Sequence, residues 1–365
     1  MKRHNRLKKH TLGLAAALLV TAGMSQIALA GDSVYVNTSS LRYRISAQIK
    51  DNNIAGNLSY GQKLERVGTS GQWTMILLNG KKYYVSSAYV TSKKPASAGA
   101  VQTTSQTAAG AQTSGGTAIA LSSNYKYANY SKINSGTATL YRSTASNKKN
   151  KVVCVNAGHG TNGGGSVKTQ CHPDGSAKVT GGTTGAGATS AVAVSSGMTF
   201  ADGTAESKVT LAMAKVLKTK LLNAGYDVLM IRESDDVQLD NIARTVIANN
   251  NADCHIALHW DSTSSNKGAF FMSVPSNATY RAMEPVASHW KQHNQLGESL
   301  ISGLKSAGVK IYSKGSMEMD LTQTSYSTIP SVDIELGDKA SDHSGATLET
   351  LANGLLTGVN TFFGQ

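Results

Sequence analysis

The chain has 365 residues, of which 40% are hydrophobic and 16% are charged, so it is long enough to bury more than one apolar core. Its formal net charge of +13 indicates attraction to anionic surfaces. The positive charges are scattered along the chain rather than clustered, which argues against nucleic acid as the partner.

The first 30 residues have the pattern of a secretory signal peptide. Positively charged residues at positions 2, 3, 6, 8 and 9 precede the apolar run 12–20, and Ala-Leu-Ala at 28–30 follows as a cleavage site. An uncleaved membrane anchor is the alternative, but the apolar run is interrupted and shorter than the roughly 20 residues of a membrane span. We therefore expect a secreted protein of net charge +8 (13 − 5) without a stable membrane span.

Residues 31–94 are predicted to form a small all-β domain. Asn79-Gly80 lies between two apolar segments, and this pair is typical of a tight β-hairpin. The succession of short strands resembles the bacterial SH3 domains, which are small β-barrels often attached to cell-wall hydrolases. The loop at 45–53 departs from that family because it lacks the usual glycine and proline. Trp73 is expected in the barrel core, with a ligand-binding surface as the alternative.

Residues 95–124 are rich in Ala, Ser, Thr, Gly and Gln and contain almost no large apolar residue. Such a segment cannot bury enough surface to fold, so we predict a flexible linker. The second domain is expected to cover residues 125–365. Its first part, residues 125–150, is too rich in tyrosine for a linker and is predicted to pack on the rest of that domain.

From residue 151 onwards, apolar β-branched runs alternate with helical patterns. Strands are predicted at 151–157, 226–231, 252–259 and 331–336. Helices are predicted at 206–223, 239–250, 287–307 and 347–363. The alternation of strand and helix predicts an α/β domain, with a mostly parallel sheet covered by helices on both faces.

Three of the predicted strands end at side chains that can bind a metal or transfer a proton. These are His159, which lies between two glycines, His259 and Glu335, while Glu206 opens the first helix. Ligands bind at the carboxyl ends of strands in open α/β sheets. Two histidines and a glutamate are a ligand set of hydrolytic zinc sites. Taken alone, Glu206 is better explained by the helix dipole. For Glu335, an ion pair with a lysine is the alternative.

Six short motifs follow one another in this domain. They are Gly158-His159-Gly160, the helix start at Glu206, Ile-Arg-Glu-Ser-Asp at 231–235, Ala243-Arg244 with Ala248-Asn249, residues 252–259, and Pro330 with Glu335-Leu336-Gly337. In this order they resemble the zinc-dependent N-acetylmuramoyl-L-alanine amidases of the Amidase_3 type, and the resemblance covers about residues 151–365. It implies that His159, Glu206 and His259 bind Zn²⁺ and that Glu335 is the catalytic acid/base.

The resemblance also implies what the protein does. We expect a secreted, cell-wall-associated and monomeric amidase whose partner is peptidoglycan and which cleaves the bond between N-acetylmuramic acid and L-alanine with zinc-activated water. One alternative is a zinc carboxypeptidase-like peptidoglycan peptidase, since the same ligand types can cut a peptide bond. The other is a non-catalytic wall-binding protein, against which the presence of all four site residues argues.

Residues 161–203 form a long glycine-rich insertion between the first and second predicted ligands. Amidases of this type usually have a much shorter segment there. We expect the insertion to be mobile and to border the substrate cleft. His172 within it is expected to be a solvated loop histidine, with an accessory metal ligand as the alternative. Residues 314–327 are predicted to be a polar loop that borders the same cleft.

Three other polar residues are predicted to lie near the site. Asp261, just past a strand end, is expected to orient a ligand imidazole. Arg232 and Arg244 are expected to be structural and to pair with acids such as Asp235. Binding of stem-peptide carboxylates is the alternative for the two arginines.

The three cysteines are too few for a disulfide framework. Cys154 and Cys254 each lie five residues before a predicted ligand histidine, so neighbouring strands in register place the two thiols side by side. We expect buried free thiols there, with a disulfide as the alternative. Cys171 lies in the glycine-rich insertion without a clear partner.

Overall fold

The structure is a computed structural model of the chain. It describes residues 32–37, 40–48, 53–59, 61–94 and 115–365. The chain divides into two compact units, residues 1–107 and residues 108–365. The predicted signal peptide and most of the predicted linker lie outside the described residues. None of the helices in the described ranges combines the length and the apolar character of a membrane-spanning segment.

The N-terminal unit is all-β, as predicted. Its strands are β1 (Asp32–Val36), β2 (Ser40–Arg44), β3 (Ile54–Ser59), β4 (Lys63–Ser70), β5 (Trp73–Leu78), β6 (Lys81–Ser86) and β7 (Val90–Thr91). They pair antiparallel in the order β3-β2-β6-β5-β4-β1-β7. Asn79 and Gly80 both have positive φ and connect β5 to β6, which confirms the predicted hairpin.

Trp73 does not lie in the core of this unit, so that prediction was wrong. The alternation of β5 directs Thr74 and Ile76 inwards, where both are buried. Trp73 therefore lies on the other face, half-buried beside Gln72 and Ser86. The core consists of small aliphatic residues: Val34, Val36, Leu41, Leu58, Leu64, Ile76 and Val85.

The second unit is built on an eight-stranded mixed sheet in the order β16-β15-β17-β14-β10-β13-β9-β8. These strands are β8 (Thr117–Ala120), β9 (Thr137–Tyr141), β10 (Val152–Ala157), β13 (Asp227–Met230), β14 (Cys254–Asp261), β15 (Ala269–Ser273), β16 (Ile311–Glu318) and β17 (Ser331–Asp338). A separate hairpin consists of β11 (Lys168–Gln170) and β12 (Ser190–Val192).

The four central strands, β13, β10, β14 and β17, are mutually parallel, as predicted. The edges are not, because β15 runs antiparallel to β17, and β9 runs antiparallel to both β13 and β8. The sheet is therefore mixed rather than mostly parallel. Because β8 begins at Thr117, the predicted linker end at residue 124 is too late.

Helices cover both faces of this sheet. They are α1 (Glu206–Asn223), α2 (Asn241–Asn251), α3 (Ala278–Ala282), α4 (Val286–Ser306), α5 (Thr322–Tyr326) and α6 (Gly345–Phe363). Val153 and Val155 of β10 pack in the main core with α1, α4 and α6. Cys154 points to the other face and packs with Ala243 and Ile247 of α2. The period of two along β10 thus separates two apolar layers.

The register of β10 and β14 contradicts the prediction that the thiols of Cys154 and Cys254 lie side by side. Val153 lies opposite Cys254, and Cys154 lies opposite His255. This offset of one residue places Cys154 and Cys254 on opposite faces of the sheet. Both thiols are buried and free, and burial raises the pKa of each above its ordinary value.

The glycine-rich insertion is folded around one buried carboxylate. Asp320 accepts hydrogen bonds from Lys178 Nζ at 3.0 Å and from the amide nitrogens of Val179 and Thr180 at 2.7 and 3.0 Å. It also interacts with Nε2 of His172 at 3.0 Å. His172 is only 1% exposed, so its prediction as a solvated histidine was wrong. Residues 314–327 are also no simple loop, because they include the end of β16 and the buried helix α5.

Candidate metal centre

The first predicted ligand, His159, follows directly on β10 at the carboxyl end of the sheet. It adopts a left-handed backbone conformation with φ of +63°, which non-glycine residues seldom adopt. Gly158 before it has no room for a side chain, because a Cβ there would lie 2.2 Å from Cε1 of His259. The Gly-His-Gly motif thus lets the two imidazoles approach each other, with ring centroids 4.6 Å apart.

Two buried arginines hold this turn in place. Arg232 donates to the carbonyl oxygens of Ala157 at 3.0 Å and of Gly158 at 2.8 Å. Arg244 donates to the carbonyl oxygen of His159 at 2.6 Å. Each arginine is 1% exposed, so neither is available for a substrate carboxylate. They are structural, as predicted, but their partners are backbone carbonyls rather than acids such as Asp235, which pairs with Lys208.

His159, Glu206 and His259 converge at one point. Oε1 of Glu206 lies 2.9 Å from Nε2 of His159 and 3.1 Å from Nδ1 of His259. The two nitrogens are themselves 3.1 Å apart, and each residue offers one ligand atom within 4.8 Å of the others. The structure thus brings together residues that are up to 100 positions apart in the chain.

Glu206 is fixed from several sides at the first turn of α1. Its Oε1 accepts from the amide of Trp260 at 3.0 Å, and its Oε2 accepts from the amide of Met198 at 2.9 Å. Burial alone would raise the pKa of Glu206, but its interactions with the imidazoles of His159 and His259 outweigh burial and hold the pKa far below its ordinary value. Glu206 is therefore an anion in a buried position.

The end of the insertion completes this arrangement. Nδ1 of His159 lies 2.9 Å from the carbonyl oxygen of Ser195. Gly197, with φ of +82°, packs so closely that a Cβ there would lie 2.8 Å from both Glu206 Oε2 and the His159 ring. The insertion therefore contacts two of the three predicted ligands directly.

Glu335 lies directly opposite His259 on the neighbouring parallel strand β17. It is 9% exposed, and its Oε2 atom has no hydrogen-bond partner among the described residues. Burial and, next, the carboxylate of Asp333 raise the pKa of Glu335 well above its ordinary value. Asp333 and Glu335 share one face of β17, while Val332 and Ile334 lie in the core on the other face.

The electrostatics favour a cation at this point. Burial alone would lower the pKa of His259, but the carboxylates of Asp333, Glu206 and Glu335 outweigh burial and raise it to about 10. In the absence of a metal ion, a proton on His259 neutralises part of this acidic cluster. Both imidazoles must be neutral to bind a metal, so a metal ion and this proton compete for the same place.

The donor set fits zinc. Zinc binds imidazole nitrogen and carboxylate oxygen at roughly 2.0–2.2 Å in tetrahedral geometry, which places ligand atoms about 3.3 Å apart. The observed separations of 2.9, 3.1 and 3.1 Å are close to this spacing. Three protein ligands leave a fourth position open for a reacting group, which distinguishes a catalytic site from a closed structural site.

A cleft of about 500 Å³ leads to the three predicted ligands and Glu335. The insertion forms part of its wall, as predicted, through residues such as Lys178, Gly182 and Thr183. The lining also includes Met317, Met319, Leu321 and Gln323, which lie on the end of β16, in the connection to α5 and on α5 itself. The cleft is thus bordered by both segments that the sequence placed there.

The prediction for Asp261 was wrong. Asp261 does not orient an imidazole, because it pairs with Lys267 at 2.5 Å and accepts from Thr263 at 2.6 Å. The carboxylate nearest to the outer nitrogen of His259 is Asp333, whose Oδ2 lies 3.6 Å from Nε2. The sequence signal for Asp333 was its position two residues before Glu335, on the same face of a strand.

Comparisons with known proteins identify the family of this chain. The Amidase_3 family model, described as N-acetylmuramoyl-L-alanine amidase, matches residues 153–353, more than half of the chain. A comparison with curated proteins gave no match.

Several solved structures also match the chain. One is the apo form of the N-acetylmuramyl-L-alanine amidase Ami1 from Mycobacterium abscessus, which is 20% identical over 58% of this chain and 98% of that chain, with a TM-score of 0.44. Ami1 from Mycobacterium smegmatis is 19% identical over 60% and 99% of the two chains, with a TM-score of 0.46. An N-acetylmuramoyl-L-alanine amidase from Clostridium difficile 630 is 16% identical over 59% and 97%, with a TM-score of 0.42.

Proposed function

The chain belongs to the Amidase_3 family of N-acetylmuramoyl-L-alanine amidases, and we propose that it is a zinc-dependent peptidoglycan amidase that acts outside the cell. Its substrate bond joins the lactyl group of N-acetylmuramic acid to L-alanine of the stem peptide. The observation that carries the zinc dependence is the convergence of His159, Glu206 and His259 within 4.8 Å, beside a cleft.

In this proposal, His159, Glu206 and His259 hold the metal. A zinc ion held there supplies a Lewis acid that polarises the scissile carbonyl and activates water. Glu206 contributes the negative charge, and the carbonyl oxygen of Ser195 keeps the proton of His159 on Nδ1, so that Nε2 presents its lone pair. The protein therefore supplies the ligand atoms in the required tautomer and orientation.

Glu335 is the proposed acid/base of the reaction. It takes a proton from the attacking water and gives a proton to the leaving amine of L-alanine, as a general acid–base group does. Its place opposite His259 puts the carboxylate beside the predicted ligands. Burial in the cleft raises its pKa above the ordinary value, as is common for carboxyl groups that transfer protons in active sites.

We also propose that the N-terminal unit is an SH3-like domain that attaches the monomeric enzyme to the wall after export through residues 1–30. Its all-β architecture supports this assignment. So does a groove of about 650 Å³ beside Trp73, lined also by Gln48, Gln72 and Ser86. A half-buried tryptophan in a polar groove is suited to contact with a sugar or a peptide.

The test is mass spectrometry of purified peptidoglycan digested with zinc-loaded protein. We expect free stem peptides that begin with an L-alanine amine, and glycan strands whose N-acetylmuramic acid residues carry a free lactyl carboxyl group. Cleavage inside the stem peptide instead indicates a carboxypeptidase-like enzyme. Wall binding without any cleavage indicates a non-catalytic wall-binding protein, and either result contradicts the proposal.

A further inference from the structure

Asp333 has a position that the proposed reaction does not yet use. It lies on β17, where it faces Ala257 of β14, while Glu335 two residues later faces His259. Oδ2 of Asp333 lies 3.6 Å from Nε2 of His259, and its Oδ1 is buried without a hydrogen-bond partner among the described residues. A buried carboxylate oxygen without a partner costs stability, so a role in the site is a reasonable explanation for it.

The orientation of the His259 ring directs Nδ1 to the metal position and Nε2 away from it. Nδ1 faces Glu206 and His159, each at 3.1 Å, so Nδ1 is the ligand atom. Nε2 then points away from the metal position and must carry the proton whenever Nδ1 binds a metal. A ligand histidine commonly donates this second N–H to a carboxylate or carbonyl, which fixes its tautomer. Among the described residues, Asp333 has the carboxylate that forms an ion pair with Nε2.

We propose that Asp333 is a positioning residue of the metal centre, whose carboxylate accepts a hydrogen bond from Nε2–H of His259 and so keeps the lone pair of Nδ1 directed at the metal. This inference rests on the proposed function, since it concerns the same site. The observed 3.6 Å is the distance of an ion pair rather than of a hydrogen bond. Asp333 is 16% exposed at the cleft, so its side chain has room to move closer.

The packing around His259 supports a role for Asp333 in the tautomer rather than in the ring position. Gly158 confines the ring from one side, since a Cβ there would lie 2.2 Å from Cε1. The edge-on ring of His159, at 86° to the His259 ring, confines it from another. Ala257, directly opposite Asp333, is small and leaves the carboxylate beside the imidazole. Packing therefore fixes the position of the His259 ring, and the carboxylate of Asp333 determines which ring nitrogen carries the proton.

Zinc affinity of the full-length protein, measured by competition with a chelator, tests the inference. Asp333→Ala should weaken zinc binding about 10- to 100-fold, the usual loss for a carboxylate that supports a ligand histidine. Asp333→Asn should lose less zinc affinity, because its amide oxygen can still accept a hydrogen bond from Nε2–H of His259. Asp261→Asn is the matched control, since Asp261 borders the same cleft but pairs with Lys267.

Unchanged zinc affinity in a folded Asp333→Ala protein overturns the inference, as does an equal loss in Asp261→Asn. Asp333→Asn has nearly the same shape as the native residue, so it keeps the test valid if the alanine variant fails to fold. The nitrogen-15 chemical shift of Nε2 of His259 in the zinc-loaded protein gives a second readout, since it responds to the hydrogen-bond partner of Nε2–H, and it should change in Asp333→Ala but not in Asp261→Asn. None of these measurements uses peptidoglycan, so a protein whose zinc affinity depends on Asp333 but which cuts no amide contradicts only the proposed function.

Discussion

The backbone carbonyl oxygen of Ser195 accepts a hydrogen bond from Nδ1 of His159 at 2.9 Å. A carbonyl oxygen can only accept, so Nδ1 carries the proton and Nε2 is free to face Glu206. Ser195 belongs to the glycine-rich insertion, 36 residues after the histidine that it orients. The insertion is therefore part of the predicted metal site as well as a wall of the cleft.

The tip of the insertion should be separable from this supporting role. Residues 181–186 are mostly exposed, and Gly182, Thr183 and Thr184 line the cleft. Replacing 181–186 by Asn-Gly should leave zinc affinity unchanged, because Ser195 and Met198 remain in place. The relative rates on muropeptides with different stem peptides should change. Loss of zinc from this folded variant would show that the tip also supports the metal site.

Gly158→Ala should damage the metal site through a single methyl group. Its Cβ would lie 2.2 Å from Cε1 and 2.5 Å from Nε2 of His259, so the ring must move away from the ligand position. We expect loss of both zinc binding and activity. Gly165→Ala is the control, because Gly165 has nothing within 4 Å of an added Cβ. Normal zinc content in Gly158→Ala would contradict the described packing.

Asp320→Asn should destabilise the second unit. The carboxylate is fully buried and paired with His172 and Lys178, and removing one partner of such a cluster costs about 3 kcal/mol or more. The free energy of unfolding, measured with urea, should fall by about this amount. Asp174→Asn is the control, because Asp174 is exposed and, among the residues that the structure describes, forms its hydrogen bonds with its neighbour Ser176. Equal stability of the two variants would contradict a central role for Asp320.

The loss of stability in Asp320→Asn should also depend on pH. Burial alone would raise the pKa of Asp320, but the hydrogen bonds of His172 and Thr180 and the charge of Lys178 outweigh burial and lower it. A lowered pKa stabilises the fold above the unfolded value of about 3.9, and this contribution is lost as the pH falls towards the folded value. The stability difference between wild type and Asp320→Asn should therefore be smaller at about pH 3 than at about pH 7.

The boundary of the second unit can be tested with two fragments. Residues 115–365 contain β8, whose Ile119 packs against the apolar layer under α2. This fragment should fold and cut small soluble muropeptides. A fragment that starts at residue 125 lacks β8 and leaves the edge of β9 unpaired, so it should be less stable in urea. Equal stability of the two fragments would indicate that β8 is dispensable.

Sequence reasoning was strongest where the signal is local. His159, His259 and Glu335 each lie at or beside the end of an apolar strand, and this pattern is visible within about ten residues. The first turn of α1 likewise begins at Glu206, as its helical pattern predicts. The order of these motifs along the chain then suggested one site, and the structure brings the three predicted ligands together.

Features that depend on distant contacts were not predictable. Asp320 pairs with a histidine 148 residues away, so nothing in the local sequence around His172 reveals its burial. The prediction that the two thiols lie side by side was wrong. A one-residue offset between β10 and β14 places Cys154 and Cys254 on opposite faces of the sheet. Trp73 was assigned to a core by its residue type, but the alternation of β5 gives the inner positions to its neighbours.

The central claim is that His159, Glu206 and His259 hold zinc while Glu335 transfers protons. The measurement that tests it most directly is zinc content and amidase rate on the same preparations of His259→Ala and Glu335→Gln. His259→Ala should lose both zinc and activity, because one of three protein ligands is gone. Glu335→Gln should keep its zinc and lose roughly 10²- to 10⁴-fold in rate, as expected for a general acid–base group. A Glu335→Gln protein with near-normal activity, or without zinc, would contradict this assignment.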